Sequence, residues 1–313
     1  MDWCITVMSE HSSDLGLPIG FPVPGWNGLN LPPRTSMVGQ YCRLEILDVN
    51  AHAQELYDAY VADSEDRIWT YLPYGPFADF GAFQSWMANT CTGDDPLFYT
   101  IFDLNTGRAV GVASYLRINP NSGSIEVGHI NFGPAMQRTP LATEAMYLMM
   151  ARAFDELNYR RYEWKCDSLN ARSCRAAGRL GLTFEGIFRQ CTIYKDRNRD
   201  TAWYSILDTE WPATKAAFQA WLSADNFSDE GNQRQTLADL INQERTVQRT
   251  QFLAKSPASL AVQSPLLFSF RSLHHSSLPT SGEQATVAIA LTPINSAIII
   301  ALVILGFITV PHT

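Results

Sequence analysis

The chain has 313 residues, and 46% of them are hydrophobic, which is enough to bury a sizeable core in one large domain or two. Its formal net charge is −8, whereas a general nucleic-acid surface needs clustered lysine and arginine. These values exclude such a surface, and we expect no nucleic-acid partner.

The six cysteines are scattered, and the sequence contains no Cys-x-x-Cys pair and no His-x-x-x-His set. Structural metal sites use such close spacing, so we expect no metal. The first 14 residues carry Asp2, Glu10 and Asp14 and lack the long apolar segment of a secretory signal. We therefore predict reduced thiols in a cytoplasmic protein.

The N-terminal region, residues 1–34, contains five prolines and several glycines, a composition that disfavours regular structure. We expect an extended lead-in that lies over the following domain and has no chemical role. A strand is predicted at 41–47. A helix follows over 51–62, with Asp48 or Asn50 as its N-cap.

An aromatic run, WTYLPYGPF at 69–77, comes next and has two interpretations. Aromatic side chains bury large areas while their polar tips reach solvent, so the run could form a wall beside a substrate. The other interpretation, which we favour, is a satellite cluster of the core.

Three antiparallel strands are predicted after a short helix at 80–88. The first two, at 97–103 and 109–118, meet across an Asn-Thr-Gly sequence that is typical of a hairpin turn. A second turn at 119–123 leads into the third strand, at 124–132.

The most informative stretch is the break and the helix after this third strand. Gly133-Pro134 ends the strand. Thr139-Pro140 is a typical helix start, because a Thr side chain caps a free amide and proline suits the first helical position. The helix, predicted from Pro140 to Leu157, has one apolar face at three- and four-residue spacing. Its charged residues are expected to face water: Glu144, Arg152, Asp155 and Glu156.

A strand, a tight loop and a helix N-terminus together form an arrangement that binds anions. The first amides of a helix have no partner within it, and the helix dipole adds partial positive charge, so a diphosphate would fit there. Arg138 adds a full positive charge at the same place. The alternative is an ordinary strand-to-helix connection, which the pattern alone does not exclude.

The rest of the predicted domain begins with a strand at 162–167, which must lie parallel to the preceding strand if the crossover is right-handed. A helix at 171–180 ends at Gly181, a natural left-handed cap. A hairpin formed by 184–194 and 201–207 follows. The prediction is a mixed α/β sandwich around one twisted sheet, with a ligand where the two parallel strands separate.

Beyond a predicted helix at 211–222 the sequence is polar, and residues 256–281 are rich in serine, which indicates a linker. Residues 285–310 carry no charge. As a helix of about 1.5 Å per residue they would span about 39 Å, longer than a hydrocarbon core of about 30 Å, although Pro293 interrupts them. One interpretation is a membrane tail anchor. The other is an exposed apolar appendage or an unreliable end of the gene sequence.

Two ordered motifs resemble a known family. Residues 137–142, QRTPLA, are similar to the Gln/Arg-x-x-Gly-x-Gly/Ala pyrophosphate loop of the GNAT superfamily of N-acetyltransferases, with proline where glycine is usual. NARS at 170–173, followed by RLGLTFEG at 179–186, resembles the Asn-x-x-Ser … Leu-Gly-Phe-x-x-Glu-Gly segment of its RimJ/RimL-like branch. The resemblance covers about residues 15–240.

The resemblance implies a GNAT-like acyl-CoA N-acyltransferase fold of the α/β class, a mostly antiparallel twisted sheet with helices on both faces. Residues 35–240 would form this domain, between the lead-in at 1–34 and a polar, serine-rich linker at 241–284 that we predict to be disordered. The hydrophobic tail occupies 285–313. Acetyl-CoA is the implied co-substrate.

The resemblance also implies which residues bind acetyl-CoA. Amides near Asn131 and Phe132 would polarise the thioester carbonyl if the strand bulges at Gly133. The Asn170 side chain suits the amides of the pantetheine arm. The full implied set is Asn131, Phe132, Gln137, Arg138, Thr139, Pro140, Leu141, Ala142, Thr143, Asn170, Ser173 and Arg175. Arg175, like Arg179, could reach a CoA phosphate or simply lie on an exposed helix face.

Acetyl transfer to an amine needs a base for the amine, a donor for the oxyanion and a proton for the thiolate. The resemblance places Glu126 as the general base; the competing interpretation is a solvent-facing strand carboxylate. Many family members protonate the thiolate with a tyrosine, but Ala177 stands there. Ser173 is the substitute we predict, and a serine that is hydrogen-bonded locally at a helix end is the alternative. Thr192 stands where RimL-like enzymes carry a further glutamate.

The resemblance thus implies an acetyl-CoA-dependent N-acetyltransferase that acts on a primary amine, of a protein N-terminus or a small molecule, by direct attack in a ternary complex. The competing hypothesis is a non-catalytic acyl-CoA-binding or interaction module, because Pro140, Ala177 and Thr192 each remove a familiar functional feature. A membrane enters as a partner only through the tail anchor; otherwise the protein is predicted to be cytoplasmic.

Overall fold

The computed structural model describes residues 11–255. Its strands in chain order are β1 (His11–Ser12), β2 (Pro18–Ile19), β3 (Met37–Val38), β4 (Cys42–Ile46), β5 (Leu97–Asp103), β6 (Ala109–Asn119), β7 (Ser124–Phe132), β8 (Arg161–Asp167), β9 (Thr183–Tyr194) and β10 (Arg197–Leu207). Its α-helices are α1 (Val49–Val61), α2 (Phe80–Thr90), α3 (Pro140–Ala151), α4 (Ala171–Arg179), α5 (Trp211–Leu222) and α6 (Leu237–Lys255).

β1 and β2 pair with each other, and the other eight strands form one sheet in the order β3-β4-β5-β6-β7-β8-β10-β9. Every neighbouring pair in this sheet is antiparallel except β7 and β8, which are parallel. The predicted mixed, mostly antiparallel sheet is confirmed. The parallel pair follows from the crossover through α3. This crossover returns the chain to the end of the sheet at which β7 begins, so β8 runs in the same direction.

Helices cover both faces of the sheet, as predicted, and each face has its own core. One core contains buried side chains of α3, α4, α5 and α6, including Met149 and Phe218. The other contains Leu56 and Tyr60 of α1 together with Phe83 of α2. Trp69, only 4% exposed, belongs to this second core, which agrees with the favoured interpretation of the aromatic run.

The start of α3 forms as its sequence predicts. Thr139 is the N-cap and accepts a hydrogen bond from the amide of Ala142 at 3.3 Å, and Pro140 is the first helical residue. The α-helix ends at Ala151, earlier than predicted, and continues as a π-helical turn over Arg152–Glu156.

Two charged residues of this segment are buried, which corrects the expectation that they face water. Glu144 accepts hydrogen bonds from three consecutive amides, those of Gln40, Tyr41 and Cys42, at 2.7, 2.6 and 2.8 Å. Burial of the carboxylate is tolerated because these charge-assisted bonds replace its hydration. Glu144 thereby fixes the turn between β3 and β4.

Arg152 is the second buried charge, and it attaches the N-terminal segment to the π-helical turn after α3. Its guanidinium donates to the carbonyls of Thr35 and Ser36, at 2.6 and 2.9 Å. Earlier in the lead-in, the carbonyl of Asn30 accepts from the Tyr159 hydroxyl at 3.1 Å. These bonds hold the segment before β3 against the domain.

The helix α6 runs through the boundary that we placed after residue 240. Leu237, Leu240 and Ile241 are buried in the first core, and this spacing forms one apolar helical face. Arg245, on the following turn, donates to the carbonyl of Gly181 at 2.6 Å. The first part of the predicted disordered linker is therefore helix.

The hairpin of β9 and β10 turns more tightly than predicted. Only Lys195 and Asp196 separate the strands, and both have positive φ, 48° and 56°. Such a turn matches the twist of a hairpin, so the polar residues that follow can pair as strand instead of forming a loop.

None of the helices within residues 11–255 is long and apolar enough to cross a membrane. The hydrophobic tail at 285–313 and the serine-rich region before it lie outside the described residues.

Candidate active site

A gap opens in the sheet between β7 and β8. The two strands pair only from Ser124 with Arg161 to Val127 with Trp164, and both continue beyond that point without pairing. At the vertex of the gap β7 bulges, because His129 and Ile130 together lie opposite one residue of β6. The predicted oxyanion donors depended on a bulge at Gly133, and the bulge lies four residues earlier.

The bulge determines which backbone amides face the gap. The amide of Gly133 donates to the carbonyl of Val110 on β6 at 2.9 Å. In an antiparallel ladder this places Asn131 in a hydrogen-bonded pair with β6 and turns the amide of Phe132 away from β6, toward the gap. Of the two predicted oxyanion donors, the amide of Phe132 therefore faces the gap and that of Asn131 faces β6.

Asn131 has a different feature. Its side chain is 3% exposed, and its Nδ2 has no hydrogen-bond partner among the described residues. An unsatisfied buried amide is costly, so Nδ2 of Asn131 is a buried donor that lacks a partner among the described residues.

The loop before α3 presents free amides beside the gap. The side chain of Gln137 donates to the carbonyl of Phe132 at 2.9 Å, and the Thr139 hydroxyl donates to the carbonyl of Met136 at 2.6 Å. Gln137 therefore braces the loop. Within residues 11–255, the amides of Arg138, Thr139 and Leu141 have no recorded acceptor.

These amides, the positive end of α3 and the exposed Arg138 side chain fit the diphosphate of a CoA ester. Pro140 supplies no donor, but the loop offers three without it. Arg179 approaches the same helix end, since it donates to the Thr143 hydroxyl at 3.1 Å. Arg175 is exposed on α4.

The first turn of α4 lies on the other side of the gap. The Asn170 side chain accepts from the amide of Ser173 at 3.1 Å, so it caps α4 and keeps its NH₂ group for another partner. The Ser173 hydroxyl accepts from the indole of Trp164 at 2.9 Å. That bond does not use the hydroxyl proton of Ser173, which lies within hydrogen-bond reach of the Cys166 sulfur.

Glu126 lies on β7 just before the vertex and does not face solvent, being 3% exposed. One carboxylate oxygen lies 2.7 Å from the Lys165 ammonium, and the other lies 2.6 Å from the Arg117 guanidinium. Burial raises the pKa of Glu126, and the two cations act in the opposite direction. Lys165 also contacts Glu163 at 2.7 Å and stacks 3.7 Å from the Trp203 ring.

The aromatic run 69–77 bridges the gap on this face. Lys195 and Arg197 of the β9–β10 hairpin donate to the carbonyls of Trp69 and Thr70, each at 2.8 Å. Tyr71 donates to the carbonyl of Leu169 at 3.2 Å. The run is thus anchored in the core at Trp69, and its other contacts join it to the chain beyond the gap, whereas the substrate-wall interpretation stays a prediction.

His129 is a residue that the sequence reasoning missed. Its Nδ1 lies 3.0 Å from the Tyr74 hydroxyl, its ring stacks on Tyr74 with centroids 5.7 Å apart, and Phe98 lies 5.0 Å away. Burial, followed by the charge of Arg117, lowers the pKa of His129 to about 4. The sequence did contain a signal for this residue: it follows Glu126-Val127-Gly128 directly, on the strand that leads into the loop before α3.

All five cysteines in the described part of the chain are free thiols, and the Sγ atoms of Cys166 and Cys174 lie 3.6 Å apart. No group of three or more His, Cys, Asp or Glu side chains within residues 11–255 could hold a metal ion.

Comparison with known proteins yields one family. The family model described as an acetyltransferase (GNAT) domain matches residues 43–183. The crystal structure of a GCN5-related N-acetyltransferase from Brucella melitensis is 44% identical with a TM-score of 0.69, and the match covers 70% of this chain and 100% of that one. A probable acetyltransferase of the GNAT family from Chromobacterium violaceum ATCC 12472 is 42% identical with a TM-score of 0.59, covering 63% and 98%. The uncharacterized N-acetyltransferase YnaD of Bacillus subtilis is 25% identical over 152 residues, 49% of this chain and 87% of that protein.

Proposed function

The chain belongs to the GNAT family of acetyltransferases, and from that premise we propose that it transfers the acetyl group of acetyl-CoA to a primary amine by direct attack in a ternary complex. The family assignment makes it an acetyl-CoA-dependent acyltransferase, so the enzymatic hypothesis is confirmed over the non-catalytic one. The observation that carries the proposal is the gap between β7 and β8, where the free amides before α3 lie beside the Phe132 amide.

In this proposal the amides of Arg138, Thr139 and Leu141 bind the diphosphate, and Arg138 and Arg179 add positive charge. Thr143 holds Arg179 in place at 3.1 Å. The remaining loop residues shape the cradle: Gln137 braces it, Pro140 fixes the first helical turn, and Ala142 is small enough for close approach. Asn170, through its NH₂ group, binds an amide of the pantetheine arm.

The proton transfers involve Glu126 and Ser173. Glu126 is proposed as the base that takes a proton from the amine, after Arg117 releases one carboxylate oxygen. Arg117 is the partner that can leave, because its side chain is 62% exposed, whereas that of Lys165 is 8% exposed. Ser173, whose hydroxyl already accepts from Trp164, donates toward the departing thiolate.

The acceptor amine in this proposal belongs to a protein N-terminus or a small molecule. We also place the chain in the RimJ/RimL-like branch of the family. The motif Asn170–Ser173 and the Leu180-Gly181 … Glu185-Gly186 segment support the branch. The aromatic run over the gap supports an acceptor that enters from the α1–α2 face.

The test is release of free CoA from acetyl-CoA with a panel of small amines and short peptides, comparing the wild type with Glu126→Gln. We expect CoA release with at least one amine, confirmed by an acetylated product in mass spectra. Glu126→Gln should lower kcat by about 100-fold or more, as loss of a general base does. Glu65→Gln, at a side chain that is 66% exposed, is the matched control. A Glu126→Gln enzyme with the wild-type kcat would show that Glu126 is not the general base.

A further inference from the structure

His129 occupies the vertex of the gap in a backbone conformation that a side chain rarely adopts. The last parallel pair is Val127 with Trp164, and His129 follows two residues later with φ of +49°. A residue other than glycine is held there only when its surroundings fix it, and such positions concentrate at functional sites. Here the ring is fixed by Tyr74 and Phe98, and Tyr74 in turn packs on Trp86 at 4.2 Å.

The hydrogen bond to Tyr74 determines where the imidazole carries its proton. Burial raises the pKa of Tyr74, so its hydroxyl keeps its proton. Within the described residues the only recorded partner of this hydroxyl is Nδ1 of His129, at 3.0 Å. The hydroxyl therefore donates and Nδ1 accepts, because an Nδ1–H in that bond would leave the hydroxyl proton of Tyr74 without an acceptor among the described residues. A neutral imidazole has one N–H, which must then be on Nε2.

Nε2 of His129 has no partner among the described residues. The lowered pKa of about 4 keeps the ring neutral at physiological pH, and the titratable groups that face it are Tyr74 and Arg117. A neutral imidazole whose Nε2–H is unpaired cannot act as a base at that nitrogen, but it can donate to a carbonyl oxygen that gains negative charge.

We propose that His129 is a catalytic residue whose Nε2–H donates to the thioester carbonyl oxygen of acetyl-CoA and, together with the Phe132 amide, stabilises the oxyanion. This inference rests on the proposed function. The amine nitrogen forms a bond to the acetyl carbon, and an electron pair moves onto the carbonyl oxygen, where His129 donates. The C–S bond then breaks, one proton leaves the nitrogen, one is taken up by the thiolate, and His129 gains and loses none.

The first test needs no amine. Two-bond ¹H–¹⁵N correlation spectra of the full chain should show His129 protonated on Nε2 and not on Nδ1 from about pH 6 to about pH 8. Acetyl-CoA should shift the Nε2–H resonance, and CoA, which lacks the carbonyl, should not. His52, buried on α1 with Nδ1 accepting from the amide of Asp48 at 3.1 Å, is the internal reference. A proton on Nδ1, or equal shifts with both ligands, would overturn the proposal.

The second test separates the donor from a base or a merely structural residue. The amide of an asparagine replaces Nδ1 but does not reach the Nε2 position, whereas a glutamine places an N–H there. His129→Asn should therefore lower kcat by about 100-fold or more with little change in KM for acetyl-CoA, and His129→Gln should recover much of that loss. Asparagine also tolerates positive φ, so folding is preserved, as the melting temperature would show.

Equal loss in both variants, or full activity of His129→Asn, would overturn the donor role. If the wild type acetylates no amine, the proposed function fails, and the acetyl-dependent shift of the Nε2–H resonance still decides whether His129 binds the carbonyl.

Discussion

Glu144 illustrates how the role of a single residue can depend on contacts that sequence spacing does not reveal. It lies among the apolar residues of α3 and was expected to face water, yet its carboxylate binds three amides about one hundred positions earlier in the chain. Its partners are backbone groups, which carry no side-chain signal. Thr139-Pro140 could be predicted because the cap and the helix start are local.

We predict that Glu144→Gln destabilises the fold by about 1–3 kcal/mol, because a neutral amide accepts fewer and weaker hydrogen bonds from the three amides and leaves buried donors unsatisfied. Urea unfolding at neutral pH measures the change. Glu65→Gln, which removes an exposed carboxylate, should alter stability by less than about 0.5 kcal/mol. Equal effects of the two substitutions would show that the buried contacts contribute no stability.

His129 was missed for a related physical reason. The bulge interrupts the alternation of inward and outward side chains along β7, so its side chain does not follow the pattern of the strand. Its partners, Tyr74 and Phe98, come from a loop and from a strand that is not paired with β7. Glu126 was predicted as the base because the family resemblance sets its place, but its two ion pairs were not foreseen.

At the scale of elements, strands and helices with regular apolar spacing were predicted to within a few residues. The C-terminal helix α6 was missed because its buried face is short and the rest of it is polar. Only contact with α5 and the core identifies Leu237, Leu240 and Ile241 as one face.

We expect Ile241→Ala to destabilise the domain by about 2–4 kcal/mol, since it removes a side chain that is 3% exposed in the first core. Val247→Ala on the same helix is the matched control, because Val247 is 49% exposed and should contribute less than about 0.5 kcal/mol. Thermal unfolding of both variants compares them. If Ile241→Ala unfolds like the wild type, α6 is not part of the cooperative domain.

An ionic network across β8 and β9 gives a prediction about pH. Arg161 hydrogen-bonds both oxygens of Glu185, and this pairing lowers the pKa of Glu185. A carboxyl group with a lower pKa in the folded protein stabilises it above the pKa of the unfolded chain, and this stability is lost as the pH falls through the folded pKa.

Arg161→Met should therefore reduce stability near neutral pH, by less than about 1 kcal/mol because the Glu185 side chain is 37% exposed, and the difference from the wild type should shrink in acid. Unfolding in urea across a pH series measures it. Arg34→Met, which removes a pair with Asp94 whose side chain is 82% exposed, is the control. A deficit in Arg161→Met that grew toward low pH would contradict the assignment.

For the whole molecule, the antiparallel neighbours and the parallel pair could be predicted from turn signals and the handedness of one crossover, and the helices on both faces from the family resemblance. The position of β10 between β8 and β9 was not predicted. The closure of the gap by the aromatic run could not, since it depends on hydrogen bonds from Lys195 and Arg197 to carbonyls more than a hundred residues away. The fold positions the loop before α3 and the bulge of β7 on either side of one opening, and the proposed chemistry depends on that arrangement.

The most direct measurement of that arrangement is a titration of acetyl-CoA into the ¹⁵N-labelled protein, followed by backbone amide resonances. If acetyl-CoA binds in the gap, the largest shifts will be those of Arg138, Thr139 and Leu141 at the start of α3, and that of Phe132 on β7. CoA should reproduce the first three and leave Phe132 little changed, because it lacks the thioester carbonyl. Binding that shifts none of these amides, or no binding of acetyl-CoA at all, would contradict the account.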